Sequence, residues 1–199
     1  MLRKSLLAAC VIAAAVTGAD AQDKPAKAIF AGGCFWCVEA DFDKVPGVIS
    51  TTSGYINGTV KNPSYKQVSA GGTGHAEAVE IVYDPAKVSY AKLLDVFWRN
   101  IDPLAKDKQF CDSGNEYRSA IFYLDDEQKK LAEETKKKVA AKFAPHTVYT
   151  EITKADTFYP AEDYHQDYYK KNEARYNFYR WNCGRDQRLE QLWGKKESS

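Results

Sequence analysis

Residues 28–42 have the sequence AIFAGGCFWCVEADF, and this stretch begins the fold. Its first four residues are apolar and predict a short strand that ends at the glycine pair 32–33. A helical spacing of apolar residues starts near Cys34 and stops before the Pro-Gly pair at 46–47, where a helix cannot easily continue. The stretch therefore predicts a strand, a two-glycine turn and a helix in direct succession.

The next elements extend this unit to the order β-α-β-β-α-β. The sequence predicts strands at residues 48–55 and 76–83, an amphipathic helix at 90–101, and a strand at 118–124. Six elements in this order indicate an α+β fold of the ferredoxin-like type. In such a split βαβ two-layer sandwich, helices cover one face of an antiparallel-rich sheet.

The rest of the chain adds a helix, a strand and an aromatic tail. A lysine-rich helix is predicted from Asp125 through Phe143, and a last strand at residues 147–152. The long aromatic C-terminal region that follows has no clear period. We therefore expect it to be irregular.

Length and charge restrict the classes of protein to consider. The 199 residues suit one domain, and 28 Lys and Arg against 27 Asp and Glu leave a nearly neutral chain. A neutral chain gives no electrostatic reason to expect a nucleic acid or an anionic membrane as partner. We expect a monomer.

The N-terminus has the pattern of a cleavable signal peptide. Arg3 and Lys4 precede an apolar run at residues 6–16, and Ala-Asp-Ala at 19–21 suits a signal peptidase. Residues 1–21 are therefore predicted to be removed, which leaves a single domain at 22–199 in the periplasm or outside the cell. Lipidation at Cys10 stays open as an alternative.

The predicted mature chain keeps four cysteines, and two of them stand at the helix start. A cysteine in a first helical turn faces unpaired N–H groups and the positive end of the helix dipole, so we expect the pKa of Cys34 to be lowered. For an exported protein, a structural disulfide from Cys34 to Cys37 or to Cys111 or Cys183 is the simpler alternative. A zinc site is less favoured, because no second C-x-x-C or close His pair completes four ligands.

Other side chains could serve a nucleophile at position 34. Phe35 and Trp36 could form an apolar pocket for a methyl group. Glu77 shares a strand face with two apolar residues, so its pKa should rise and it could donate a proton, although a pairing with a lysine is equally plausible. Tyr65 and Tyr117 end turn-rich segments, and either hydroxyl could donate to an oxyanion.

Four segments then resemble the signature blocks of the peptide methionine sulfoxide reductase A family. They are GCFW at 33–36, GHAEAV at 74–79, YRSAI at 117–121 and AEDYHQ at 161–166, in the family's order. The resemblance covers roughly residues 28–169. It implies catalytic roles for Cys34, Glu77, Tyr65 and Tyr117, and substrate-binding roles for Phe35, Trp36 and Asp112.

The resemblance also implies an activity. Members of this family reduce the S epimer of methionine sulfoxide, free or in proteins, through a cysteine sulfenic acid and an intramolecular disulfide. They use no metal or bound cofactor, and a thioredoxin-like disulfide reductant regenerates them.

The sequence does not decide which cysteine acts as the resolving thiol, the one that would condense with a sulfenic acid on Cys34. Many members have Gly where this chain has Cys37, and their glycine-rich tail with resolving cysteines is missing here. We take Cys183 as the first candidate for the resolving thiol, Cys37 as the second, and Cys111 as a third. A thioredoxin-like disulfide oxidoreductase and a non-catalytic aromatic-rich binding domain remain the competing functions.

Overall fold

The computed structural model describes residues 24–195, and the secondary structure of this range has the following bounds. The strands are β1 Ala26–Gly32, β2 Val48–Ile56, β3 Ala76–Tyr83, β4 Lys108–Gln109, β5 Asp112–Ser113, β6 Ser119–Tyr123, β7 Glu151–Lys154 and β8 Tyr159–Pro160. The helices are α1 Phe35–Phe42, α2 Tyr65–Ser69, α3 Tyr90–Arg99, α4 Asp126–Phe143, α5 Tyr168–Lys171, α6 Glu173–Asn182 and α7 Arg185–Trp193, with one 3-10 helix at Asn115–Tyr117. The predicted signal peptide at 1–21 lies outside the described residues.

The main sheet has the order β7-β6-β1-β3-β2-β8. Its inner strands β6-β1-β3-β2 are antiparallel to one another, and β7 adds to β6 in parallel through the crossover helix α4. Together with α1 and α3, these four strands are the ferredoxin-like split βαβ arrangement that the sequence predicts. The α+β fold class is confirmed.

One face of the sheet packs against α1 and α3 to form the main core. Ser89 caps α3 by accepting a hydrogen bond from the backbone N–H of Lys92, and the apolar stripe of α3 then faces the sheet. The Phe97 ring of this stripe stacks on Phe30 of β1 with centroids 5.0 Å apart, and both side chains are fully buried. Truncating such a ring to alanine costs roughly 3–5 kcal/mol.

The opposite face of the sheet combines large apolar residues such as Phe122 with several alanines. Ala31, Ala76, Ala78 and Ala120 are buried there, and Phe158 from the segment between β7 and β8 packs against them. Alanines leave room for this segment to lie directly on the strands. A chain segment, and not a second helical layer, thus covers this face.

The turn between β1 and α1 depends on Gly33. Its φ of +83° lies in the left-handed region, and a Cβ atom there would stand 2.5 Å from the Cβ of Gln109. Gln109 is itself held by two hydrogen bonds to the backbone of Asp102. The close approach fixes the start of α1, and Cys34 with it, against the loop that carries β4 and β5.

The C-terminal region differs from the prediction. It contains α5, α6 and α7 where we expected irregular structure, and the last predicted strand lies at Glu151–Lys154 instead of 147–152. These helices were not predicted because single polar groups, and not one apolar stripe with a helical period, anchor them to the core. Arg185, for example, is buried and donates hydrogen bonds to the carbonyls of Gly32 and Asn100. Within residues 24–195, none of the helices is long and apolar enough to cross a bilayer.

Candidate active site

A small open cleft of about 60 Å³ lies at the N-terminal end of α1. Its lining consists of polar and aromatic side chains from five parts of the chain: Cys34, Phe35, Trp36, Tyr65, Glu77, Asp112, Tyr117 and Tyr179. The first seven in chain order are the catalytic and substrate-binding residues that the sequence predicts. The structure therefore brings all of them to one place and adds Tyr179.

Glu77 reaches the cleft from β3 and is buried at 1% exposure. Its Oε2 accepts the backbone N–H of Phe35, the first residue of α1, at 3.1 Å. Burial raises the pKa of Glu77 to about 8 despite this hydrogen bond, and the nearby charge of Asp112 acts in the same direction. At neutral pH the carboxyl group is therefore mostly protonated and can act as a proton donor.

The environment of Cys34 differs from the expectation. Its side chain is buried, and this burial raises the pKa of the thiol well above its usual value, with further contributions from Cys37 and the charges of Glu77 and Asp112. The N–H that we expected to stabilise a thiolate is donated to Glu77 instead. The prediction of a lowered pKa is therefore wrong, and Cys34 is a thiol at neutral pH.

The four cysteines of the described residues fall into two pairs. Cys37 is a free, buried thiol that shares a hydrogen bond with Cys34, and this bond lowers the pKa of Cys37 to about 7 against the effect of its burial. Cys183, our first candidate for the resolving thiol, is joined to Cys111 in a disulfide with a Cα separation of 4.9 Å. In this state the three resolving candidates are thus unequal, because Cys183 and Cys111 are bonded to each other and Cys37 is free.

The two predicted tyrosines are held as hydroxyl donors. The backbone N–H of Tyr65 donates to Glu162, which also accepts the hydroxyl of Tyr55 and so links α2 to β2. Burial raises the pKa of Tyr65 to about 12 and shifts the pKa of Tyr117 upward as well. Both phenols therefore stay protonated at physiological pH.

Asp112 is positioned by a residue that sequence analysis missed. The Tyr179 hydroxyl donates a short hydrogen bond to the Asp112 carboxylate and is also hydrogen-bonded to Cys34. Burial raises the pKa of Asp112, while the bond from Tyr179 opposes this shift. Tyr179 lies in α6, in the region without a clear period, so no sequence pattern indicated its place.

The Trp36 ring is held in a fixed orientation by the AEDYHQ segment. Its indole N–H donates to Nδ1 of His165 at 3.0 Å, and its ring lies parallel to that of Tyr168 at a centroid distance of 3.7 Å. Burial lowers the pKa of His165, which keeps the imidazole neutral and able to accept this bond. The function of His165 was therefore missed, although the segment that contains it was recognised.

A metal site has little support in this geometry. Among residues 24–195, the one group of three side chains able to hold an ion is Cys111, Asp112 and Cys183. Two of its three donor atoms are the sulfurs of a disulfide. They are not thiolates in this state, so the group lacks the charge that a metal requires.

Comparison with known proteins agrees with this geometry. Residues 26–197 match the family model described as peptide methionine sulfoxide reductase. A relative from Bacillus licheniformis, named peptide methionine sulfoxide reductase MsrA, is 49% identical over 175 residues, which are 87% of this chain and 97% of the relative. A second, from Caulobacter vibrioides and named peptide methionine sulfoxide reductase MsrA 2, is 46% identical over 94% of this chain and 95% of its own.

Solved structures give the same result. Reduced Mxr1 from Saccharomyces cerevisiae superimposes with a TM-score of 0.71 at 31% identity, covering 82% of this chain and 93% of its own. Methionine sulfoxide reductase A of Corynebacterium diphtheriae superimposes with a TM-score of 0.68 at 32% identity, covering 80% of this chain and 81% of its own. The chain therefore belongs to the peptide methionine sulfoxide reductase family.

Proposed function

We propose that this enzyme reduces the S epimer of methionine sulfoxide, free or in oxidised proteins, with Cys34 as the nucleophile. The observation that carries the proposal is the meeting, in one cleft, of a thiol and a carboxylic acid that is protonated at neutral pH. A sulfoxide is a poor electrophile until its oxygen receives a proton. A buried acid beside a nucleophilic sulfur supplies that requirement.

The cleft walls suggest how the substrate is bound. The rings of Phe35 and Trp36 form the apolar side, where the S-methyl group would lie, and aromatic rings are also favourable neighbours for sulfur. The hydroxyls of Tyr65 and Tyr117 line the same cleft as Glu77 and would bind the sulfoxide oxygen. With the methyl group and the oxygen fixed on opposite sides, only one configuration at sulfur presents its backside to Cys34.

The chemical step conserves atoms and protons. The Cys34 sulfur attacks the substrate sulfur while Glu77 donates its proton to the sulfoxide oxygen. Glu77, now a carboxylate, takes up the thiol proton, so the nucleophile becomes a thiolate only as it reacts. The hydroxyl group then passes from the substrate sulfur to the Cys34 sulfur, while the bond between the two sulfurs and the bond from the substrate sulfur to oxygen break. Methionine leaves and Cys34 becomes a sulfenic acid, so that sulfoxide plus thiol yields sulfide plus sulfenic acid with no net proton change.

Regeneration requires two electrons from outside the protein. A second thiol of the chain condenses with the sulfenic acid to a disulfide and releases water. A thioredoxin-like disulfide reductant then restores the thiols by exchange. All electrons in this cycle come from sulfur, so the scheme needs no metal or bound cofactor.

The site of action is part of the proposal. The basic start, apolar run and small-residue cleavage pattern of residues 1–21 support export to the periplasm or the medium. The reductant would then be an exported thioredoxin-like protein. The mass of the mature protein from cells tests this: a chain that begins at Gln22 supports export, and one that retains residues 1–21 contradicts it.

The activity is tested with the purified protein, dithiothreitol and each epimer of dabsyl-methionine sulfoxide. We expect turnover of the S epimer only, loss of turnover in Cys34→Ser, and a roughly 10²–10⁴-fold lower rate in Glu77→Gln, as for removal of a general acid. Glu80→Gln is the matched control, because Glu80 lies on the same strand but pairs with Lys27 at the surface. Normal turnover in Cys34→Ser would overturn the proposal.

A further inference from the structure

We propose that Cys37 is the resolving thiol, which attacks the sulfenic acid on Cys34 to form a Cys34–Cys37 disulfide. Cys111 and Cys183 take no part in that step. The inference rests on the proposed function, because it concerns the product that the Cys34 reaction leaves behind. It reverses the order in which the sequence ranked the candidates.

The first argument is position. Cys34 is the N-cap of α1 and Cys37 lies in its first turn, so the backbone N–H of Cys37 donates to the carbonyl of Cys34 at 3.1 Å. The two side chains lie on the same side of this first turn and are already in hydrogen-bond contact. The backbone of Cys34 is not helical, with φ −49° and ψ 117°, so its side chain can turn toward Cys37 without breaking the helix.

The second argument is burial. Cys34 and Cys37 are 6% and 1% exposed, and both are free thiols joined by a hydrogen bond. A sulfenic acid formed there lies directly against the Cys37 thiol, at the base of a cleft that small molecules such as dimedone can enter. The neighbouring thiol is therefore the group that meets it first.

The third argument is electrostatic. Cys37 feels the positive charges of Arg185 and Arg180, and together with the hydrogen bond to Cys34 these bring the pKa of Cys37 to about 7. Arg185 is buried, and Arg180 is paired with Asp41 at 3.1 Å, so both guanidinium groups are fixed in place. A substantial fraction of thiolate at neutral pH suits an attack on a sulfenic acid.

The other two candidate cysteines are not free thiols. Cys111 and Cys183 are bonded to each other, and Cys183 is held at the end of α6 by a backbone hydrogen bond to Tyr179. Either cysteine could resolve Cys34 only after an outside reductant had first opened their disulfide. Cys37 needs no such step.

The resolving step balances as follows. The Cys37 sulfur forms a bond to the Cys34 sulfur, and the S–O bond of the sulfenic acid breaks. Cys37 loses its proton when it ionises, and the leaving hydroxide takes up one proton and departs as water, so protons balance. Two thiols have then supplied the two electrons that the sulfoxide received, and an external dithiol reduces the new disulfide.

The test maps disulfides after a single oxidation. Reduced wild-type protein receives excess S-epimer substrate without reductant, remaining thiols are alkylated, and peptides are identified by mass. We expect one methionine per chain and a Cys34–Cys37 disulfide. The matched control, Cys111→Ser with Cys183→Ser, removes the competing thiols and should give the same disulfide.

The variant Cys37→Ser completes the test. Its Cys34 sulfenic acid should persist long enough for dimedone to label it, and turnover with a thioredoxin system should fall at least about tenfold because the natural disulfide cannot form. Two results in wild type would overturn this inference alone. One is methionine formation with a disulfide from Cys34 to Cys111 or Cys183. The other is methionine formation after which Cys37 is found alkylated, since Cys37 would then have remained a free thiol. Absence of methionine in wild type would instead overturn the proposed function itself.

Discussion

At the scale of single residues, Glu77 connects burial with reactivity. Its carboxyl group must carry a proton to serve as an acid, and its pKa of about 8 means that it loses this proton as the pH rises through that value. We therefore expect kcat/KM for the S epimer to fall above about pH 8. Rates measured from pH 6 to 10 in wild type and Glu77→Gln check this expectation.

The variant Glu77→Gln tests whether Glu77 is the group that causes the decline in rate above pH 8. Glutamine cannot titrate, so the loss of activity above pH 8 should disappear while the overall rate is low. If the variant kept the same decline, another group would be responsible for it. Glu80→Gln, whose side chain pairs with Lys27, should retain the wild-type profile.

At this scale the sequence predicts which residues form the site but not the ionisation of Cys34. The motif blocks contain Cys34 and Glu77, the family resemblance adds Asp112, and the cleft contains all three. The helix-dipole argument was wrong for Cys34 because burial raises the pKa of the thiol, and because the first free N–H of α1 is donated to Glu77. Whether this backbone N–H is donated to the Cys34 sulfur or to the Glu77 carboxyl group depends on three-dimensional packing, which the sequence does not show.

At the scale of elements, the Cys111–Cys183 disulfide ties the β4–β5 hairpin to α6. It spans 72 residues of sequence, and it lies beside the hydrogen bond from Tyr179 to Asp112 that closes one side of the cleft. Closing a loop of this length lowers the entropy of the unfolded chain, which contributes roughly 4 kcal/mol to stability in the chain-entropy model. The disulfide thus stabilises both the fold and one wall of the site.

The double variant Cys111→Ser with Cys183→Ser tests this role. We expect a lower melting temperature and a raised KM, because Asp112 and Tyr179 lose their covalent support. Dithiothreitol should lower the melting temperature of wild type toward that of the variant and leave the variant unchanged. Equal melting temperatures of wild type and variant without reductant would contradict the expected contribution.

Elements differ in how well the sequence predicts them. The apolar stripe that contains Phe97 and the β-branched runs predict the ferredoxin-like core, because each buries one regular face. The helices α5 to α7 were missed because anchors such as Arg185 and Tyr179 act one at a time and follow no period. Tyr179 and His165 were missed for this reason, and both positions require knowledge of how the tail folds back.

At the scale of the whole molecule, Arg185 joins the C-terminal helices to the ferredoxin-like core. Its guanidinium donates to the carbonyls of Gly32 and Asn100 and lies 4.4 Å from the ring centre of Phe110. Gly32 ends the strand that leads to Cys34. The same side chain therefore holds the tail in place and supports the entrance of α1.

Replacing Arg185 with lysine should reduce the free energy of unfolding by roughly 2–4 kcal/mol, because an ammonium group cannot reach both carbonyls or stack on a ring. Chemical denaturation measures this change. Arg188→Lys is the control: Arg188 is partly exposed and pairs with Asp102, so we expect a loss of at most about 1 kcal/mol. Equal losses in the two variants would contradict a special role for Arg185.

The central claim, that Cys34 itself takes up the oxidation while Glu77 supplies the proton, has one most direct test. A chain of residues 22–199 with Cys37, Cys111 and Cys183 all replaced by serine keeps Cys34 as its single thiol. Mixed with the S epimer and no reductant, it should yield one methionine per chain and a dimedone label on Cys34, more slowly when Glu77→Gln is added. Methionine formation that leaves Cys34 unlabelled, or no methionine from this folded protein, would contradict the account.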